Sequence, residues 1–137
     1  IHLAPLVLKL LVRAKGTKGM TLISDSIAAA GEGDGDYQIW GETISVKDGH
    51  TSNVHGTIAG SVITMLDAVR MIRTLGVSEI EISKMASTNP ARLLELDHEL
   101  GSIEVGKSAD LVAVDQQGGV RLTMVGGRPV FNQAVAI

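Results

Sequence analysis

Residues 21–35 read TLISDSIAAAGEGDG, and their opening decides how the rest of the chain is read. Met20 to Ile23 form a short apolar run, preceded by Gly19 and closed by Ser24-Asp25. A run of that length between turn formers is the pattern of a buried parallel strand that delivers polar residues at its C-terminal end. In a barrel of alternating strands and helices that end is the functional rim, which makes Asp25 a candidate functional carboxylate. A carboxylate there is costly unless a charge, a hydrogen-bond network or a metal accepts it. An aspartate after a strand also serves as a helix N-cap or a turn former, and spacing alone leaves both roles open.

Upstream, Pro5 suits the first turn of a helix, and Leu6, Val7, Leu10 and Leu11 recur at helical spacing until Gly16, so residues 5–15 are expected to be helical. Downstream, AAAGEGDGD at 28–36 leads into Tyr37-Gln38-Ile39-Trp40 and Thr43-Ile44-Ser45-Val46, which reads as a hairpin around Gly41-Glu42 inserted over the rim. From Ser61 the residues Ile63, Met65, Leu66, Val69, Ile72 and Leu75 keep a helical period up to Gly76. Ser78 with Glu81 has the form of a capping box for a second helix, and Asn89 before Pro90 suggests the cap of a third. After Gly101 the texture changes to three or four β segments divided by glycines, and no internal repeat is visible.

With 137 residues the chain can form one modest domain, or part of a larger one, but not a complete (β/α)₈ barrel, which usually takes roughly 250 residues. The opening Ile1 to Val12 carries Pro5 and Lys9 and fits neither a signal peptide nor a membrane span, so the chain is expected to begin inside a longer sequence. A net charge of −3, with one Trp, one Tyr and one Phe, offers neither a basic field nor stacking surface, so nucleic acid is not an expected partner, and neither is a membrane. There is no cysteine, which fits a reducing compartment, and a cytoplasmic location is the expectation.

His2, His50, His55 and His98 show no metal-binding spacing, so no metal ligand is assigned within the chain. GTIAGS at 56–61, opening a helix, would present backbone N–H groups and the Ser61 hydroxyl to an anion or a sugar hydroxyl. A plain N-cap at Gly60 or Ser61 explains the same residues. Asp110 could pair with Lys107, and such a pair reads as structural.

Taken in order, TLISDSIAAAGEGDG, GTIAGS, MASTNPARLL at 85–94, GSIEVGKSADLVAVD at 101–115 and VGGRPVF at 125–131 resemble one family, the N-acetylglucosamine-6-phosphate deacetylases. The resemblance covers nearly the whole chain, and Ile1-His2-Leu3-Ala4-Pro5 is similar to that family's DGIHLAP-type segment. The GKSADLV ending resembles amidohydrolases generally, whereas SDSIAAAG and IAGS are selective for the deacetylases. The resemblance implies the last strand-helix units of a (β/α)₈ TIM-type barrel over residues 1–98 and the C-terminal strands of a small β-sandwich over 99–137.

It further implies that Asp25 is the catalytic group, taking a proton from the attacking water and returning it to the departing amine. His2 matches a substrate-binding histidine, and Ala59, Gly60 and Ser61 match a segment lining the sugar-phosphate pocket at a helix start. The implied products are glucosamine 6-phosphate and acetate. A divalent metal, zinc or similar, is implied for the full-length enzyme on ligands upstream of this chain, so the chain alone is expected not to hold it. A homodimer is implied as well. Ser26, where the family more often has Ala, and His55, where an acidic residue is commoner, depart from the pattern. The rivals are another amidohydrolase, such as a deaminase or cyclic-amide hydrolase, and a non-catalytic fragment or paralogue that only binds sugar phosphate or a partner.

Overall fold

The computed structural model describes residues 3–133, so His2 lies outside the described residues. The chain divides into two compact units, residues 3–16 with 22–77 and residues 17–21 with 78–133.

The first unit opens with α1, Pro5–Lys15, where the helix was expected. Pro5 takes its first turn and Gly16, at φ 72°, ends it with its N–H donating to the Val12 carbonyl. Leu6, Val7, Leu10 and Leu11 are all exposed. The expected buried strand at Met20–Ile23 does not form, and Ile23 is also exposed. A parallel strand is held by neighbours on both sides, and among the described residues the one parallel contact is a bridge between Ser26 and Ser61.

The hairpin is present as β1, Gly35–Ile39, and β2, Glu42–Lys47. Its turn is centred on Trp40-Gly41, one residue earlier than read, at φ 55° and 80°, the left-handed pair that a two-residue turn between twisted strands requires. A third strand, β3, His50–Asn53, follows through a second turn of the same kind at Asp48-Gly49 and completes a three-stranded antiparallel sheet. Along β2 burial alternates, with Ile44 and Val46 inward. They join Ile39, Ile27 and Ala29 in the core, and Tyr37, Ala59 and Val62 pack against it.

Helix α2, Met65–Thr74, starts four residues later than the periodicity suggested. Thr64 is its N-cap, in a capping box with Asp67, so the apolar Ile63 lies before the helix rather than in it.

In the second unit, α3, Glu79–Ser83, begins at the expected Ser78–Glu81 capping box. It runs without a break through a wider turn at Lys84–Thr88 into α4, Asn89–Leu93. Asn89 is therefore not a cap. Its N–H donates to the Lys84 carbonyl five residues back, and its side chain donates to the carbonyls of Thr17 and Met20 at 2.9 and 2.6 Å. The wider turn has a cause in Pro90, which lacks an N–H and crowds the carbonyl four residues earlier in a regular helix. Met85, Ile82 and Ala91 are the buried residues of this stretch, and Thr17 Oγ1 donates to Glu81 at 3.1 Å.

Three C-terminal strands form, β4, Leu111–Val114, β5, Val120–Val125, and β6, Arg128–Asn132, as one antiparallel meander. Ile103 and Val105 are exposed and belong to no strand. Asp110 does not meet Lys107: its carboxylate accepts from the Gly126 N–H at 2.6 Å, whereas Lys107 pairs with Glu104 at 3.1 Å. Asp115 takes the Gly119 N–H and the Arg121 guanidinium, which hold its carboxyl below the ordinary value. No helix among the described residues is long and apolar enough to cross a membrane.

Gly101, at φ 89°, shows how tightly the second unit is packed, because a Cβ there would lie 2.5 Å from the Ala91 Cβ. Gly101→Ala is expected to destabilise by about 2–4 kcal/mol, combining overpacking with a left-handed conformation. Gly106 has a similar φ of 93° with open space around it, so Gly106→Ala should cost only about 1 kcal/mol. Denaturant midpoints of the two variants, measured side by side, check the difference.

Candidate active site

The functional rim expected at Asp25 is built in the first unit from two segments some 35 residues apart in sequence. Residues 24–27 run alongside residues 60–61, and the backbone makes both bonds of a parallel ladder. The Ser61 N–H donates to the Asp25 carbonyl at 2.8 Å, and the Ile27 N–H donates to the Ser61 carbonyl at 2.9 Å. Two hydroxyls reinforce the seam, Ser61 Oγ donating to the Ser24 carbonyl and Ser26 Oγ to the Ile63 carbonyl. Ile27 anchors the strip in the core while Asp25 stays exposed.

Asp25 sits at φ 52°, in the left-handed region that aspartate and asparagine enter more readily than other residues with a Cβ. Gly60, across the seam, is also left-handed at φ 79°. A Cβ on Gly60 would lie 2.8 Å from the Ile27 side chain, 2.9 Å from the Asp25 carbonyl and 3.8 Å from the Asp25 carboxylate. The glycine is thus required by the chain's own packing, and it brings bare backbone up to the exposed carboxylate.

The loop that returns the chain to this seam is shaped by Asn53. Its side-chain oxygen accepts from the N–H groups of His55 and Thr57, both at 3.0 Å, and its backbone N–H donates to the Thr57 carbonyl at 2.9 Å. Residues 58–61 are then sent back under β3, where Thr51 Oγ1 donates to the Gly60 carbonyl at 2.6 Å and accepts from the Ala59 N–H at 3.3 Å.

Of the sequence-derived candidates, Asp25, Gly60 and Ser61 are therefore neighbours, and Ala59 adjoins them with its N–H turned to Thr51. The helix start expected at this turn lies instead at Thr64-Met65, because Thr64 and not Ser61 has an acidic residue three positions on to complete the cap. Of the N–H groups expected to face an anion at Ala59-Gly60-Ser61, that of Ala59 donates to Thr51 and that of Ser61 to the Asp25 carbonyl. Thr51 was not singled out in the sequence, and the part that Ser24 and Ser26 play in the seam was not read there. The Asp48-Gly49 turn is the signal that would have placed Thr51 on a strand.

His50, His55 and His98 are exposed, and among the described residues no three His, Cys, Asp or Glu side chains converge as a metal site.

Comparison with known proteins agrees with the order of elements. The family model described as the amidohydrolase family matches residues 7–130. The chain belongs to the amidohydrolase family. With that membership comes the fold class, the closing strand-helix units of the family's TIM-type barrel with the strands of a small β subdomain.

Among curated relatives, the N-acetylglucosamine-6-phosphate deacetylase of Vibrio furnissii is 38% identical over 98% of this chain and 34% of its own length. The crystal structure of N-acetylglucosamine-6-phosphate deacetylase from Thermotoga maritima superposes with a TM-score of 0.91 at 36% identity, covering 97% of this chain and 37% of that one. A mutant deacetylase from Mycobacterium smegmatis, solved in complex with N-acetyl-D-glucosamine-6-phosphate, gives 0.85 at 31% identity, over 95% of this chain and 35% of that one. This amidohydrolase chain thus spans about a third of the length of the relatives it matches.

The cap that follows the seam carries a pH dependence. The Asp67 carboxyl is held below its ordinary value of 3.8 by the Thr64 hydroxyl first, then by the Thr64 N–H, with Arg70 adding to them. A depressed folded-state pKa contributes stability above the unfolded value, and that stability is lost as pH falls through the folded value. Asp67→Asn is expected to lower the thermal midpoint at about pH 7, with the gap closing below about pH 4, and melting curves across that range measure it.

Proposed function

We propose that this chain is the C-terminal part of an N-acetylglucosamine-6-phosphate deacetylase, which hydrolyses the acetamide of its substrate to glucosamine 6-phosphate and acetate. The observation that carries the reading is the Asp25 carboxylate, exposed and held beside the glycine backbone of Gly60 by the seam to Ser61. The identity of relatives over almost the whole chain supports it.

In this reading the Asp25 carboxylate takes a proton from the water that attacks the amide carbonyl and then gives a proton to the departing amine. One carboxylate acts as base and then as acid, which suits a group that stays in water and needs no buried partner. Gly60 and Ser61 keep bare backbone at its side, so that the sugar can approach closely. Ala59 belongs to the same wall, and His2, which lies outside the described residues, is carried as a substrate-binding residue on the family resemblance. Residues 1–98 serve as the end of the barrel and 99–137 as closing strands of the sandwich, in a cytoplasmic homodimer.

Deacetylases of this family are generally metal-dependent. The described residues do not amount to a ligand set for such an ion: Asp25 offers one carboxylate and no second donor cluster converges on it. In this reading a divalent ion, zinc or similar, would be held by residues upstream of this chain, and Asp25 is the residue of this chain that carries the proton transfers.

The test is Asp25→Asn in the enzyme that contains this chain together with the upstream strands. The amide keeps the shape and can neither accept nor return the proton, so kcat for acetate release should fall by about 10²- to 10⁴-fold with KM within a few-fold. A variant keeping a tenth of the wild-type kcat would mean that another group moves the proton.

A further inference from the structure

Thr51 is the one polar residue buried among the described residues, at 6% exposure. It pairs with Val46 across β2 and β3, on the face that turns Ile44 and Val46 into the core. A hydroxyl in that position has no water to bond and must be satisfied by the protein. Neither of its bonds stays within the sheet. Both go to the turn at Ala59-Gly60, to the Gly60 carbonyl and from the Ala59 N–H.

That turn is the far side of the Asp25 seam. A Cβ on Gly60 would meet the Asp25 carbonyl at 2.9 Å and its carboxylate at 3.8 Å, and the next residue, Ser61, holds the Asp25 backbone. Thr51 is thus two hydrogen bonds from the Asp25 backbone carbonyl, by way of Gly60 and Ser61, on the strand that also holds the loop through Asn53. We propose that Thr51 is a positioning residue for deacetylation, fixing the place of the Asp25 carboxylate through Gly60. This rests on the deacetylase reading above.

The choice of residue type fits the role. A β-branched side chain suits the strand, and valine would fill the same space, so only the hydroxyl distinguishes threonine here. Removing it leaves the Gly60 carbonyl and the Ala59 N–H without their partner and frees the turn to shift. Displacements of about 1 Å in reacting groups can cost about 10²-fold in rate.

The experiment compares Thr51→Val and Thr51→Ser with wild type in the full-length enzyme, reading kcat for acetate release, the thermal midpoint and amide exchange at Ser61. Thr51→Val is expected to lose about 10- to 100-fold in kcat and to exchange faster at Ser61, with Thr51→Ser restoring both to near wild type. A lowered midpoint with wild-type kcat for the folded protein would show a purely structural threonine and overturn the proposal. If Thr51→Val does not fold, Thr51→Cys and Thr51→Ser decide instead, since both lose the methyl and only serine keeps the hydroxyl; equal kcat in the two overturns it. If wild type releases no acetate, the deacetylase reading falls, and exchange at Ser61 still speaks to the latch: unchanged protection in Thr51→Val refutes it.

Discussion

The first unit depends on a seam two hydrogen bonds long. The Ser61 N–H to the Asp25 carbonyl and the Ile27 N–H to the Ser61 carbonyl are the contacts by which a loop from the sheet and the strip carrying Asp25 become one structure. Each such bond contributes on the order of 1 kcal/mol net, so the seam cannot hold by backbone pairing alone. It holds because Ile27 and Ala29 are buried in the core with Ala59 packed against it, and because the hydroxyls of Ser61 and Ser26 take the Ser24 and Ile63 carbonyls. Gly60 makes the approach possible. Any side chain at that position would push the two segments apart by contact with Ile27 and the Asp25 carbonyl.

In the same unit a good deal of apolar surface is open. Leu6 and Leu10 of α1 are 77% and 65% exposed, and Ile23, on the run that reads as a barrel strand, is 71% exposed. Scattered exposed leucines need no explanation, but an amphipathic helix that buries none of its residues does. The relatives are roughly three times as long as the part matched here, and a stripe of this kind is the pattern of a helix that packs on a neighbour. The sequence pattern and the local structure therefore disagree at Met20–Ile23, and both are informative. The pattern records the environment the segment was shaped for, and the missing ladder records what one segment can do without partners.

What was legible follows the range of the signal. Pro5 and Gly16 bound a helix by backbone chemistry within a few residues, Ser78 and Glu81 close a capping box over three, and Gly126-Gly127 makes a tight turn by itself, so these elements were read where they stand. The start of α2 was misplaced because apolar periodicity was extended back through Ile63, whereas Thr64 and Asp67 hold the true cap. Asn89 was misread because the residue before a proline at a helix start normally caps it, and here the helix was already under way and widened to admit the proline. β3 was missed because His50-Thr51-Ser52-Asn53 has no apolar alternation; its one inward residue is a threonine. Asp25 was visible as a carboxylate ending an apolar run, but its meeting with Gly60 and Ser61 spans some 35 residues, a distance over which spacing says nothing and family resemblance says a good deal.

The position of Ser61 changes what its hydroxyl can be asked to do. Read as the first residue of a helix, it offered an N–H and an O–H to an incoming sugar phosphate. In place, its N–H holds Asp25, its hydroxyl proton goes to Ser24, and its oxygen accepts from the Ile63 N–H at 3.3 Å. A serine hydroxyl has one proton and two lone pairs, so little capacity remains for a ligand without breaking the seam that positions the carboxylate. Gly60 differs, because its contribution is the absence of a side chain, and that costs the seam nothing when a ligand approaches. Close approach of backbone and the hold on the Asp25 segment thus fall to neighbouring residues of one turn, Gly60 for the former and Ser61 for the latter.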